Sequence, residues 1–453
     1  MTDSISFFGL GKLGLPLAAL FARSGLSTLG LDTDAALIAR LKAGETPYVE
    51  PGLTKLLAEA APALTFDADA GRAATTNVSI ILVPTPSDGV SPEFSTEYLT
   101  KACNDLAAVL KGRKSQPYHL IVISSTVPPG TLGNKITPIF EDAFGAHAGK
   151  GFGIVYIPDF VALGRVIQDF RRPPYVLIGS DDPVAAANAR KLYQRIVGPK
   201  TPIRVLSTRD AEIAKMTHNV FLCVKISFGN FLAQLGDRLG GIDLDGISDT
   251  LSLDLRIGSG LTRAGAPYGG TCLPRDTAAL RHLAGINGLD APLARAADDI
   301  NAAQFDLIER ALLANDPRSV AVLGLSFKPG TPVTVGSPAF ELIARLIRRS
   351  VKVFAYDPIP EARNQTSAAF GALVTCCETA AAAWTYADAI LVANPERSFV
   401  ALGTCIPPDR IIVDPWGCIE HPHPRLLRPG RSPLYAKTPN LTPVKEPTSV
   451  ESK

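Results

Sequence analysis

Apolar runs of three to six residues alternate with longer segments of helical period through the first 200 residues. The runs at 5–8, 29–31, 78–83, 119–124, 154–157 and 175–178 hold few polar residues, as strands covered on both faces do. The segments between them are long enough for crossover helices. This alternation predicts a parallel sheet with helices on both faces. From 209 to about 239 the period becomes helical, with neither Gly nor Pro before Gly229. Helical segments continue to about 314, broken by a loop over 259–274. A second, shorter alternation follows, with runs at 320–325, 351–356, 389–392 and 411–413 and a helix around 340–349. The expected fold is α/β, with two doubly wound parallel-sheet domains joined by a long central helix and a helical connector. The expected boundaries are 1–205, 206–314 and 315–430. From 428 onward the chain is rich in Pro, Ser, Thr and Lys, and 431–453 is expected to be a mobile tail.

Composition changes this picture little. The 453 residues, 46% hydrophobic and 19% charged, exclude a wholly disordered chain. The 38 Gly and 37 Pro fit many tight turns, and no G-X-Y period accompanies them. A net charge of +2 without a basic stripe argues against a nucleic-acid partner. No run is long and apolar enough to span a membrane, and Met1–Ser4 lacks a basic n-region, so a cytoplasmic protein is expected. The seven cysteines (103, 223, 272, 376, 377, 405 and 418) form no CxxC pair and no Cys/His ligand spacing. With six scattered histidines, no metal site is expected, and the thiols are read as reduced.

Three motifs can carry chemistry. Gly9, Leu10, Gly11, Lys12, Leu13 and Gly14 form a GxGxxG directly after a strand and at the start of a helix. Gly9 permits the tight turn, Gly11 lets backbone approach a pyrophosphate, and Gly14 lets helix and strand pack closely. Asp32 ends the next strand, where a carboxylate grips ribose hydroxyls and repels a 2′-phosphate, so NAD is favoured over NADP. A glycine-rich turn in an ordinary α/β unit is the plainer alternative. The second motif runs from Gly265 through Tyr268, Gly269, Gly270, Cys272 and Arg275 to Asp276. A thiol after a Gly-Gly turn can be a covalent nucleophile at a helix start, or simply a small residue in a turn. The third pairs Lys215 with Asn219 at i, i+4, on one helix face. A cation and an amide there could stabilise an alkoxide, or form a solvated face. His218 is read as structural.

In this order the motifs resemble the UDP-glucose/GDP-mannose dehydrogenase family, over about residues 4–420. Further matches are Val83-Pro84-Thr85-Pro86, Ser124-Ser125-Thr126-Val127-Pro128-Pro129-Gly130-Thr131, Asp254-Leu255-Arg256-Ile257-Gly258 and Gly324-Leu325-Ser326-Phe327-Lys328-Pro329-Gly330-Thr331. The resemblance implies two Rossmann-like domains and oxidation of a nucleotide sugar C6 alcohol to a carboxylate with two NAD. It implies Cys272 as the nucleophile, Lys215 and Asn219 on the oxyanions, and Asp276 and Thr126 on a water. Cofactor contacts would come from the glycine-rich turn, Asp32, Thr85, Thr126 and Arg275. Substrate contacts would come from Phe160, Val161, Lys215, Asn219, Arg256, Tyr268, Gly269, Phe327 and Lys328. Arg256 would reach across from the partner of a homodimer.

Several positions depart from the family pattern. Asp159 stands where the family has its catalytic Glu. A displacement of about 1 Å there can cost roughly a hundredfold in rate. Leu163 and Val335 replace a Glu and an Arg on the cofactor side, and Asn230-Phe231 stands for Asn-Glu. An active enzyme with an altered sugar or NAD pose is expected, with UDP-hexose as substrate. The rivals are a binding-only or slow homologue and a two-electron hydroxyacid-type dehydrogenase, which needs no cysteine.

Overall fold

The computed structural model describes residues 4–86, 94–113, 118–240, 242–258, 260 and 262–431. The chain divides into two compact units. The first takes the described residues of Met1–Cys223, Gly269–Arg295 and Lys328–Val333, and the second takes those of Val224–Tyr268, Ala296–Phe327 and Thr334–Lys453. The long central helix, Thr208–Leu239, gives its first half to one unit and its second half to the other.

The first unit holds eight strands: β1 (Ser4–Phe8), β2 (Ser27–Leu31), β3 (Leu64–Asp67), β4 (Val78–Ile81), β5 (His119–Ile123), β6 (Phe152–Tyr156), β7 (Val176–Gly179) and β8 (Ile203–Leu206). Their order is β3-β2-β1-β4-β5-β6-β7-β8. Successive side chains point to opposite faces. Ile5, Phe7, Ile80 and Val122 therefore enter one core, and Phe8, Ile81, Ile121 and Ile123 enter the other. Two covered faces explain the continuous apolar runs.

Two strands of this sheet escape the sequence pattern. β3 is an edge strand in which Leu64 and Phe66 alternate with Thr65 and Asp67, and β8 leaves three of its four residues exposed. One expectation is corrected. β7 was expected to be parallel to its neighbours, but it pairs antiparallel with β6 at Tyr156 and Gly179. The chain between them holds only the six-residue helix Val166–Arg171, too short to carry a parallel crossover back along the sheet.

A polar thread crosses this sheet. The buried Ser6 and Ser79 hydroxyls lie 2.7 Å apart, and Ser79 Oγ is 2.9 Å from His119 Nε2. Arg113 Nη1 donates to His119 Nδ1 at 3.2 Å, so Nε2 carries the proton that Ser79 accepts. Burial, with the Arg113 charge beside it, pushes the imidazole down to about 3.

The second unit holds β9 (Ser319–Leu323), β10 (Lys352–Tyr356), β11 (Val374–Cys376), β12 (Ala389–Val392), β13 (Ile411–Val413) and β14 (Leu426–Leu427), ordered β11-β10-β9-β12-β13-β14 and all parallel. β11 and β14 were not anticipated. At three and two residues they are too short to show a period. The first five strands repeat the order of β3-β2-β1-β4-β5, and the first turn is repeated as well. Gly9 N donates to Leu31 O at 2.9 Å and Leu10 N to Asp32 Oδ2 at 2.8 Å. Gly324 N donates to Tyr356 O at 2.8 Å and Leu325 N to Asp357 Oδ2 at 2.8 Å.

The chain stays packed beyond 428, where the Pro- and Ser-rich composition begins. Arg431 Nη2 and Nε contact the Asp245 carboxylate at 2.7 and 2.9 Å, and a Cβ on Gly430 would meet Ala233 Cα at 2.5 Å. The remainder of the expected tail, 432–453, lies outside the described residues. Among the described residues no helix is long and apolar enough to cross a membrane.

His119 sets a pH window. Its folded pKa is depressed below the unfolded value of about 6.5. The neutral ring therefore contributes stability that is full above pH 6.5 and is lost as pH falls toward 3. Urea unfolding should weaken across this window by up to about 1.4 kcal/mol per pH unit from this one group. His119→Asn should flatten that slope. An unchanged slope would show that the imidazole is not buried neutral.

Candidate active site

The glycine-rich turn has two glycines fixed by packing and one left open. Gly9 has φ +99°, and a Cβ on it would lie 2.3 Å from the Leu82 carbonyl oxygen. A Cβ on Gly14 would lie 2.0 Å from Gly9 O, whereas one on Gly11 would meet nothing within 4 Å. Gly11 is thus the bare stretch of backbone that a pyrophosphate requires, at the N-terminal end of the helix Gly14–Arg23. The side chains of Leu10 and Leu13 pack into the first core, so only their backbone can serve a ligand. Lys12 is exposed. Asp32 braces the turn, accepting from Leu10 N with Oδ2 and from Asp34 N with Oδ1 at 3.0 Å. Tyr48 stands nearby, its phenol raised by burial and by the charges of Asp32 and Asp34. These residues fit a dinucleotide.

The ends of β4 and β5 continue the site. Ser125 Oγ donates to Val83 O at 2.8 Å and accepts from Val83 N at 2.9 Å. Thr85 Oγ1 donates to Thr126 O at 2.8 Å, and Arg275 Nη1 donates to Thr85 O at 3.1 Å. The Arg275 guanidinium lies 4.3 Å over the Phe94 ring. Thr85, Thr126 and Arg275, far apart in the sequence, are therefore brought together. Glu212, fully buried on the central helix, fixes the loop after Thr126 by accepting from Gly130 N (2.5 Å) and Leu132 N (2.9 Å).

One turn further along that helix stands Lys215. Only 7% of it is exposed, and Nζ donates to the Asp159 carbonyl at 2.6 Å while lying 4.8 Å over the Phe160 ring. Burial lowers its pKa, and its neighbours Asp276, Cys272 and Asp159 oppose that shift. Asn219 Nδ2 donates to Asp276 Oδ2 at 2.5 Å, and Asp276 Oδ1 accepts from Arg275 Nε at 2.9 Å. His218 stacks edge-on to Phe160 at 4.7 Å, and its Nδ1 lies 3.3 Å from Asn219 Oδ1, so both ends of that amide are held. Cys272 is exposed and occupies the N-cap position of the helix Leu273–Ile286, with no capping bond from its side chain. Burial raises the Asp159 carboxyl to about 7, with Lys215 pulling the other way. Lys215, Asn219, Cys272, Asp276, Arg275 and Asp159 thus share one locality of the first unit.

The loop after Asp159 is fixed from both sides. Glu50, a residue that no sequence signal singles out, accepts from Gly164 N and Val166 N at 2.8 Å each. Lys328 Nζ donates to Leu163 O at 2.6 Å. Val161 and Leu163 pack against the first core. Gly269 also belongs to this unit. Arg256, Tyr268 and Phe327 belong to the second unit. There the Arg256 side chain is 89% exposed and paired with Asp254 at 2.6 Å. The Tyr268 hydroxyl donates to Asp298 at 2.6 Å, and Phe327 is half-buried. Val335 is exposed, while Asn230 is buried and accepts from Gly265 N at 3.0 Å. Among the described residues no cluster of His, Cys, Asp and Glu could hold a metal ion.

Three family models match the chain in order. They are the NAD binding domain of the UDP-glucose/GDP-mannose dehydrogenase family over residues 3–197, its central domain over 209–303 and its UDP binding domain over 321–421. The chain belongs to the UDP-glucose/GDP-mannose dehydrogenase family. Its cofactor is NAD. Similar proteins include a GDP-mannose 6-dehydrogenase of Azotobacter vinelandii, 30% identical over 90% of this chain and 95% of that one. A UDP-glucose 6-dehydrogenase of Haloferax volcanii is 34% identical over 88% and 92%. Among solved structures, a UDP-glucose dehydrogenase of Pyrobaculum islandicum has a TM-score of 0.84 at 30% identity, over 91% and 94% of the two chains. A UDP-D-ManNAc dehydrogenase of Pyrococcus horikoshii has a TM-score of 0.81 at 29% identity, over 94% and 99%. Relatives of both nucleotide classes match at 30% identity or more over most of the chain, so the family is that of nucleotide-sugar 6-dehydrogenases without a choice of base.

Thiol accessibility tests this arrangement. In folded protein under limiting iodoacetamide, peptide mass spectrometry should show Cys272 modified and the buried Cys103 and Cys223 untouched. Modification of Cys103 before Cys272 would contradict the placement of both.

Proposed function

We propose that the chain oxidises the C6 alcohol of a UDP-hexose to the acid through a covalent adduct on Cys272. The observation that carries this reading is the buried Lys215 ammonium beside Cys272, Asp276 and Asp159, with the Asn219 amide one turn away. A cation and an amide held in a dry pocket stabilise an oxyanion far better than they would in water. Binding alone needs no thiol there.

NAD, when bound against Gly11, Asp32, Thr85, Thr126 and Arg275, accepts hydride. Alcohol plus water becomes carboxylic acid with loss of four electrons and four protons, so two NAD are reduced per sugar. Asp159 is the base that takes the alcohol proton, its carboxyl held close to neutrality. Cys272 Sγ adds to the aldehyde carbon, giving a tetrahedral thiohemiacetal whose oxyanion Lys215 and Asn219 stabilise. The adduct is a better hydride donor than the bare aldehyde and cannot escape. Its oxidation gives a thioester, and water held by Asp276 and Thr126 releases the acid and restores the thiol. Phe160, Val161, Gly269 and Lys328, all of the first unit, contact the sugar. In this reading residues 1–205 bind NAD, 206–314 form the dimerisation segment and 315–430 bind the nucleotide.

We also propose a homodimer. Phe221, Phe228 and Leu235 recur at seven-residue spacing on the central helix and are exposed, as are Phe231 and Leu239. A second copy of the chain covers such a stripe. The exposed Arg256 is then free to enter the partner's site.

Incubation with NAD and a panel of UDP-, GDP- and dTDP-sugars should give two NADH per sugar with a UDP-hexose. Cys272→Ala should abolish turnover. One NADH per sugar with a fully active Cys272→Ala would make the chain a two-electron dehydrogenase, and no NADH from any sugar would leave a binding protein.

The base must be ionised, so kcat should fall tenfold per unit below about pH 7. Asp159→Asn should lower kcat by about 10²- to 10⁴-fold. A flat acid limb would remove Asp159 from the reaction.

Light scattering at micromolar concentration should give twice the chain mass, reduced by Phe228→Glu. A monomeric wild type would end the role of Arg256 in the partner's site.

A further inference from the structure

The Arg275 guanidinium holds the carboxylate of the very next residue, a contact that helix geometry alone does not produce. Arg275 and Asp276 are neighbours on the helix Leu273–Ile286, where residues i and i+1 do not face each other. Yet Arg275 Nε and Nη2 both lie 2.9 Å from Asp276 Oδ1, and Nη1 donates to Thr85 O at 3.1 Å. The side chain has to bend to make these bonds, and a long side chain held in one bent rotamer loses entropy. The surface that holds it is the Phe94 ring. The guanidinium carbon sits 4.3 Å from the ring centroid, and only 14% of the Arg275 side chain is exposed. A cation stacked on a ring is held most strongly where water is excluded. Phe94 is itself buried, packed with Met216, which follows Lys215 on the central helix, and with Ala279, one turn after Arg275.

The chain of contacts continues inward. With Oδ1 taken by Arg275, Asp276 Oδ2 accepts from Asn219 Nδ2 at 2.5 Å. An amide nitrogen carries two hydrogens, so this bond fixes the direction of the second. In the proposed reaction that second N–H is the one Asn219 offers to the oxyanion. We propose that Phe94 is a positioning residue: its ring orders Arg275, and through Arg275 and Asp276 it aims the Asn219 amide. The inference rests on Asn219 acting on the oxyanion. Arg275 is then a brace between the loop after β4 and the helix that begins behind Cys272.

Phe94→Leu keeps an apolar side chain against Met216 and Ala279 and removes the ring face. Its kcat should fall by about tenfold. KM for NAD and for the sugar should change by less than about threefold, because Thr85 stays held by its hydroxyl bond to Thr126 O. Phe94→Tyr restores the face and should recover most of the lost rate. Arg275→Met removes the guanidinium and keeps an apolar stem. Adding Phe94→Leu to it should lower kcat by less than about twofold further, since the ring has nothing left to order. A merely packing role would make the two losses additive and would overturn the proposal. A tenfold higher KM for NAD at unchanged kcat would also overturn it, because Arg275 would then serve the cofactor alone. Phe94→Met, which keeps an apolar side chain of adaptable shape, covers the case in which the leucine variant does not fold. Wild-type kcat in the folded aliphatic variant, with Asn219→Ala inactive, would overturn the proposal and leave the oxyanion role of Asn219 intact. Full activity in Asn219→Ala would instead remove the assignment on which the inference rests.

Discussion

A lysine ammonium does not leave water without compensation, and Lys215 is almost wholly buried. Much of the first unit around it answers that constraint. The Asp159 carbonyl takes one N–H, the Phe160 ring offers its face, and the carboxylates of Asp276 and Asp159 supply opposite charge. Asp276 is itself fully buried and is balanced by Arg275 and Asn219. Removing one member of such a set leaves another charge stranded, at a cost of about 3–5 kcal/mol. The groups assigned to the proposed reaction are therefore also the ones that hold this part of the unit together.

The backbone supports follow the same logic. The carbonyl that receives Lys215 belongs to a loop that could drift, because it follows a strand with no full crossover helix behind it. Glu50 and Lys328 pin this loop from residues 114 and 165 positions away in sequence. Glu212 performs the equivalent task for the loop after Thr126, from a site one helical turn before Lys215. The central helix thus carries both the buried cation and the anchor of the loop after Thr126.

How much of this could be read from the sequence depended on the range of the contact. The glycine-rich turn, Asp32 and the i, i+4 pair of Lys215 and Asn219 were legible because their chemistry lies within one turn or one β-α-β step. Cys272 and Asp276 were legible as a motif, but their approach to Lys215 is a tertiary event. The family resemblance supplied it. Glu50 left no local mark, since it acts on Gly164, 114 positions away in the chain. The strands β3 and β8 were missed because an edge exposes polar positions and erases the apolar run. The antiparallel β7 was missed because apolarity reports burial and not direction. Arg431 hides in a segment whose composition suggests disorder, and only its pairing with Asp245 shows it to be packed.

The repeated turn has a consequence of another kind. Asp357 occupies in the second unit the place that Asp32 holds in the first, but it is 2% exposed and accepts from Leu325 N, Ser326 N and Ser326 Oγ. Asp32 accepts from two backbone amides and remains half open. The same scaffold thus appears twice, once with its carboxylate presented outward and once with it withdrawn into its own loop. A lineage that copies a nucleotide-binding half can diversify it in this way without redrawing the sheet. The amide and hydroxyl of Ser326 tie the second carboxylate into its own loop, and the two halves are then free to evolve toward different ligands.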